Sequence, residues 1–224
     1  MKKYIKKRVT ILSNPTRYSF LLKEFKNGRF RLLDIGAGNN SATKTKAVFP
    51  DCEYYGLDKT RHYNYSTEDF NLMRDFYETD LSRLNFNKIP DNFFNAIVMS
   101  HIIEHLHNGD LVIEKLIPKL KNKGYFYIEY PGLKSTKLPS MRGTLNFYDD
   151  PTHVRLYSLN EVGHLLTSNG FKILKSGIRR NWIRILCMPL IVPLRMIKEG
   201  HLNGSDFWDL LGFAEFVIAK KNFD

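Results

Sequence analysis

The run Arg31-Leu-Leu-Asp-Ile35 is short, mostly apolar, and closes on Gly36-Ala37-Gly38. Ala42 to Phe49 can then form a helix, which Pro50 stops. A buried strand that enters a tight glycine turn and leaves it as a helix constrains this chain more than any other feature. It is the opening unit of an open α/β sheet, in which ligands bind beyond the carboxyl ends of the strands. The alternation continues. Glu53–Asp58, Tyr77–Asp80, Phe94–Met99 and Gly124–Tyr130 read as strands, and Thr67–Phe76 and Gly109–Lys121 as helices, the second accommodating Pro118. Such a pattern predicts a parallel sheet with helices on both faces.

After a polar loop over about 132–157, Ser158 with Glu161 three residues on has the spacing of a capping box. The helix it starts should stop at Asn169-Gly170, before a sixth strand from Phe171 and a seventh over Phe213–Lys220. Between these strands lies an apolar and basic insertion at about 179–212. No repeat or linker interrupts the 224 residues. The expected organisation is a basic N-terminal arm and helix over 1–30 and one α/β domain over 31–224.

The first turn also limits the ligand. A dinucleotide fingerprint would require glycine at 41, where the chain has Ser41. Asp34, just before the turn, would oppose a pyrophosphate but suits a cationic ligand. Asp58 ends the second strand, where a carboxylate can accept hydrogen bonds from both ribose hydroxyls. A nucleoside carrying a sulfonium and an ammonium fits these residues better than one carrying phosphates.

Five segments in order carry a resemblance: Leu33-Asp-Ile-Gly-Ala-Gly38, Tyr55-Gly-Leu-Asp58, Thr79-Asp80-Leu81, Phe94 to Leu106, and Leu120 to Ile128. On these the chain resembles the class I S-adenosylmethionine-dependent methyltransferases, in the branch acting on small molecules and glycans. The resemblance implies a Rossmann-like, seven-stranded, mostly parallel sheet of order 3-2-1-4-5-7-6 with the last strand antiparallel. It implies S-adenosylmethionine as cofactor and S-adenosylhomocysteine as product. It assigns cofactor binding to Asp34, Gly36, Ala37, Gly38, Asn40, Asp58, Lys59, Asp80, Leu81, Ser100 and His101. Asn40 stands where the family usually has a third glycine. The other reading of Asp80 is a simple helix N-cap, and that of Asp34 a plain turn residue; the motif implies for Asp34 an indirect or backbone-organising role near the methionine ammonium.

His101-Ile-Ile-Glu-His105 spells H-x-x-E-H, a string found in zinc proteases. It straddles the exit of a strand, which puts His101 off the face of His105, and no third ligand follows at a useful spacing. The expectation is no metal. The loop Leu145 to Arg155 gathers Tyr148, Asp149, Asp150, His153 and Arg155, and by family analogy it crosses the mouth of the pocket. A neutral imidazole can take the proton of an acceptor hydroxyl, so His153, with His105 second, is the candidate base. Tyr148, Asp149, Asp150 and Arg155 are candidate acceptor-binding residues. The expected reaction is O-methylation of a sugar, glycan or other small molecule. Two other readings are a nucleic-acid methyltransferase and a catalytically silent S-adenosylmethionine-binding protein.

The net charge of +11 sits mostly at one end: residues 1–31 hold ten Lys/Arg against Glu24 alone. That arm could meet nucleic acid, lipid or only water, and nucleic acid is not the favoured partner. The insertion has five basic residues (Arg179, Arg180, Arg184, Arg195, Lys198) and no acid up to position 198. It reads as a contact for an anionic membrane, a lid, or a dimer surface, with Pro189 and Pro193 expected to interrupt any long helix. Two distant cysteines and no apolar run long enough to span a bilayer point to a cytoplasmic protein, with peripheral membrane contact as an extension.

Overall fold

In a computed structural model of the chain, described for residues 15–26, 28–61 and 66–222, seven strands form one sheet of order β3-β2-β1-β4-β5-β7-β6. They are β1 (Arg31–Ile35), β2 (Glu53–Asp58), β3 (Asp75–Glu78), β4 (Phe94–Ser100), β5 (Leu120–Pro131), β6 (Phe171–Ile178) and β7 (Ala214–Lys221). The first five pair in parallel, and β7 runs antiparallel between β5 and β6. This is the expected Rossmann-like order.

Because strand side chains alternate between faces, β1 feeds two cores at once. Leu33 and Ile35 pack with the helices α4 (Gly109–Leu116) and α5 (Leu159–Ser168) on one face. Leu32 packs on the other with α1 (Pro15–Phe25) and α2 (Ser41–Val48). From residue 15 onward the N-terminal arm is thus part of the domain: Tyr18, Phe20 and Leu21 are buried, and the Phe25 ring stacks on Phe30 at 4.2 Å. Residues 1–14, with half the basic residues counted in the arm, lie outside the described residues.

Three local expectations are corrected. The helix expected over 67–76 is only α3 (Thr67–Asn71), because Phe76 is drawn into β3 opposite Gly56. The helix expected to reach Lys121 ends at Leu116. A 3-10 turn holding Pro118 follows, and β5 begins at Leu120, paired with Phe94. The insertion forms α6 (Trp182–Glu199), an 18-residue helix that runs through both prolines. Pro189 and Pro193 are four residues apart on one exposed stripe, so neither ring is forced into the core. A short α7 (Trp208–Leu211) follows. Among the described residues, no helix is long and apolar enough to cross a membrane.

The insertion's arginines also point differently from the expectation of a lipid contact. Arg179 lies 3.4 Å from Glu129 and 3.6 Å from Asp209. Arg180 donates to the carbonyls of Asp209 and Leu210. Arg184 and Arg195 converge on buried Asp206. These four bind the insertion to its own scaffold, while Trp182, Leu186, Leu190, Leu194 and Ile197 stay exposed along α6.

Candidate active site

The turn after β1 is built from left-handed residues. Gly36 has φ 71°, and a Cβ there would stand 2.1 Å from Ile102 Cδ1, so only glycine fits. Its N–H and that of Ala37 both donate to the Leu57 carbonyl, tying the turn to β2. Asn39 and Asn40 each have φ 57°, a region asparagine tolerates better than most side chains. Asn40, where the resemblance leads one to expect a third glycine, thus takes a left-handed conformation that glycine also favours.

Beneath the turn, Asp34 is buried. Its Oδ2 accepts from Arg17 of α1 (2.8 Å), the Ser41 hydroxyl (2.6 Å) and the Tyr54 hydroxyl (2.6 Å). Burial alone would lower the Arg17 pKa, but Asp34 holds it above its ordinary value. The carboxylate organises the turn through the chain's own donors. Ser41, which excluded a dinucleotide fingerprint, is one of them.

At the end of β2, Asp58 Oδ1 accepts from the Lys59 N–H at 2.7 Å. Lys59 Nζ reaches Asp80 Oδ2 at 3.4 Å, which draws the ends of β2 and β3 together. Asp80 caps the next 3-10 turn through the Ser82 N–H and hydroxyl, and these bonds lower its pKa. Leu81 packs beside it against the core.

At the end of β4, Ser100 Oγ is buried with no hydrogen-bond partner among the described residues. His101 follows with φ 55°. Its Nδ1 lies 3.2 Å from Glu104 Oε1 and its Nε2 3.1 Å from Glu129 Oε1. Burial would lower the His101 pKa, but the two carboxylates outweigh it and raise it to about 9, so the ring is an imidazolium at neutral pH. Trp208 of α7 lies 5.0 Å from that ring.

The loop over 145–157 docks on the 3-10 turn Ile103–His105: the Val154 N–H donates to the Glu104 carbonyl at 2.8 Å. This brings the rings of His105 and His153 to 4.9 Å. His153 Nδ1 lies 2.6 Å from the Phe147 carbonyl. His105 Nδ1 lies 2.9 Å from the Thr152 hydroxyl and 3.2 Å from the Thr152 carbonyl. Asp149 serves the loop itself, accepting from Ser140 and from the N–H groups of Met141, Leu145 and Asn146. Arg155 is held by Asp110 and Glu161, so the carboxylate expected to complete a capping box goes to an arginine instead. Asp150 accepts from Thr152, and Tyr148 is 70% exposed.

The profile of a family described as "Methyltransferase domain" matches residues 4–176, more than half of the chain. The chain belongs to this family. No curated protein matches it in sequence. Among solved structures it is similar to a SAM-dependent methyltransferase from Archaeoglobus fulgidus, with 21% identity and TM-score 0.57, covering 92% of this chain and 94% of that one. It is also similar to a Haemonchus contortus phosphoethanolamine N-methyltransferase 2 (18%, 0.64, 93% and 53%). A third similar fold is the [4+2]-cyclase SpnF (16%, 0.57, 93% and 82%). At such identities the likeness shows a shared fold, and one fold hosts many chemistries.

In this methyltransferase the site draws on residues that sequence reasoning passed over. Arg17 and Tyr54 sit on separate elements and meet only at Asp34. Glu129 carried a signal: it is a carboxylate in the otherwise apolar strand β5, and such a charge is buried only when paired. Its partner Tyr127 lies two residues away on the same face of β5, whereas Arg179, and Asp209 beyond it, become neighbours only through the fold.

Proposed function

We propose that this methyltransferase moves the methyl group of S-adenosylmethionine onto a hydroxyl of a sugar or another small molecule. When bound, the cofactor supplies an electrophilic methyl on a sulfonium; the chain binds it, orients the acceptor and excludes water. Three features suit that cofactor: the side-chain-free turn at Gly36, the carboxylate of Asp58 at the end of β2, and the buried hydroxyl of Ser100 at the end of β4. Asp58 would hold the ribose, Lys59, Asp80 and Leu81 the adenine side, and Gly36 to Asn40 with Ser100 and His101 the methionine part. Asp34 acts from behind by fixing the turn.

The hydroxyl reading rests on the pair His105 and His153. A carbonyl oxygen can only accept, so the Nδ1 of His153 bears the hydrogen. Thr152 commits its hydroxyl proton to Asp150, so His105 Nδ1 donates in the same way. In each neutral ring the free lone pair is therefore on Nε2. Two such lone pairs, on rings 4.9 Å apart, suit an acceptor that must lose a proton. An amine acceptor arriving neutral needs less help. Tyr148 and Asp150 are the groups best exposed to hold the acceptor's other hydroxyls.

Calorimetric titration with S-adenosylhomocysteine, then an acceptor screen read by mass spectrometry, tests the reading. His153→Ala should lower transfer by about 10²–10⁴-fold with cofactor affinity nearly unchanged. Products methylated only on nitrogen, or full transfer by the variant, would remove the hydroxyl assignment; failure to bind S-adenosylhomocysteine would remove the cofactor.

A further inference from the structure

The H-x-x-E-H string gains a third ligand through the fold. His101, the first residue of the string, turns to Glu129 and leaves the face of His105. In its place the loop over 145–157 delivers His153. Glu104, His105 and His153 each offer one ligand atom, and the three atoms lie within 4.8 Å of one another. We propose that Glu104, His105 and His153 form a binding site for a divalent transition-metal ion, and that the acceptor hydroxyl coordinates it.

The first argument is Glu104. It is 1% exposed, its Oε1 is engaged by His101, and its Oε2 is buried without a hydrogen-bond partner among the described residues. An unsatisfied oxygen at such a position costs free energy unless something binds it. The second is the pair of imidazoles. Metal-bound histidines almost always donate their other ring N–H to a carbonyl or carboxylate, which fixes the ring and the tautomer. His153 does so to Phe147, and His105 to Thr152, whose hydroxyl is itself held by Asp150. The third is the anchoring of the loop. Val154 and Arg155 donate their N–H groups to the Glu104 carbonyl, so the segment carrying one ligand is fastened to the residue carrying another.

The donor set selects the ion. Two imidazole nitrogens and one carboxylate oxygen suit zinc, iron or cobalt rather than calcium or magnesium, and three protein ligands leave positions open. Ligand atoms about 2.0–2.2 Å from such an ion stand roughly 3–3.5 Å apart, so the widest separation in the cluster needs to contract by about 1.3–1.8 Å. Asp150 Oδ2, 3.9 Å from His153 Nε2, is near enough to become a further ligand or to accept from a bound hydroxyl. An acceptor hydroxyl in an open position is acidified as metal-bound water is, and its proton passes to solvent. The occupant of that position rests on the function proposed above; binding of the ion does not.

Metal-stripped, untagged full-length protein is titrated with Co²⁺, followed by visible absorption and calorimetry. One Co²⁺ per chain is expected, with His105→Ala and His153→Ala each weakening binding by more than the roughly 10–100-fold that loss of an outer-shell partner costs. Exposed His164 on α5 is the control, and His164→Ala should bind like the parent. Glu104→Gln keeps the shape of the buried side chain, and S-adenosylhomocysteine binding by each variant reports that the fold survives. Chelation should abolish methyl transfer, and Zn²⁺, Fe²⁺ or Co²⁺ should restore it. Absence of saturable binding, or binding by both histidine variants as tight as the parent's, overturns the site. Transfer that resists chelation but is lost in His153→Ala also overturns it and gives the proton to His153 itself, leaving the methyltransferase reading intact.

Discussion

Arg17 in α1 and Asp34 at the end of β1 form a buried ion pair, 2.8 Å apart, behind the glycine turn proposed to hold the cofactor. The pair joins the N-terminal helix to the sheet at the point where the turn begins. Removing one partner leaves a buried charge uncompensated, which typically costs about 3–5 kcal/mol. Arg17→Ala should therefore lower stability by that order in urea denaturation and weaken S-adenosylhomocysteine binding as the turn loosens. Ser41 and Tyr54 still donate to Asp34, so the double variant Arg17→Met with Asp34→Asn should recover much of the stability. Equal losses in the single and double variants would mean that the helix matters only through its apolar face.

Asp58 is expected to act on the ligand rather than on the fold. Losing two ribose hydrogen bonds to a carboxylate weakens binding by about 2–4 kcal/mol. Asp58→Ala should show that loss by calorimetry with little change in melting temperature. Gly36→Val should abolish binding altogether, since φ 71° and the contact with Ile102 both reject a side chain.

The sheet was legible in the sequence because each strand is a short apolar run bounded by turn residues, and because five family segments recur in order. Boundaries that depended on pairing were not. Phe76 looked like the last residue of a helix until Gly56 offered it a partner strand, and Leu120 looked helical until Phe94 did the same. The turn and Asp58 could be read as a candidate site from local spacing. The Glu104–His105–His153 cluster could not, since its third member arrives on a loop whose docking on Glu104 leaves no local pattern. The insertion's arginines were illegible for a related reason: a run of them without acids reads as a lipid contact, a lid or a dimer surface, whereas Asp206 and Asp209, which pair with them, come later in the chain.

Acid stability follows from two carboxylates. Burial would raise the Glu129 pKa, but Arg179, His101 and Tyr127 hold it down to about 2. Burial acts the same way on Asp149, and the donors of the loop likewise bring it to about 2. A depressed folded-state pKa contributes stability that is complete above the ordinary carboxylate value, roughly 4. It is lost as pH falls toward 2. His101, whose folded pKa is raised to about 9, adds stability as pH falls through about 6.5. The melting temperature should therefore rise slightly from neutrality to about pH 5 and drop steeply below pH 4. Asp149→Asn should be less stable at neutral pH and show a shallower acid slope. An identical slope would place the acid-sensitive groups elsewhere.

The inward-facing arginines of the insertion change what their removal should do. If Arg184 and Arg195 faced an anionic membrane, replacing them with serine would lower salt-sensitive vesicle binding and leave the fold intact, at about 1 kcal/mol for each charge. Both instead end at Asp206, which is 3% exposed and would be left with a buried, uncompensated charge. The double variant Arg184→Ser with Arg195→Ser should therefore melt several degrees lower and become more sensitive to proteolysis between β6 and β7. Adding Asp206→Asn should restore part of the loss, because the stranded charge goes with it. Sedimentation with neutral and anionic vesicles separates the two accounts. An unchanged melting temperature together with lost binding to anionic vesicles would mean that these side chains serve a lipid surface and not Asp206.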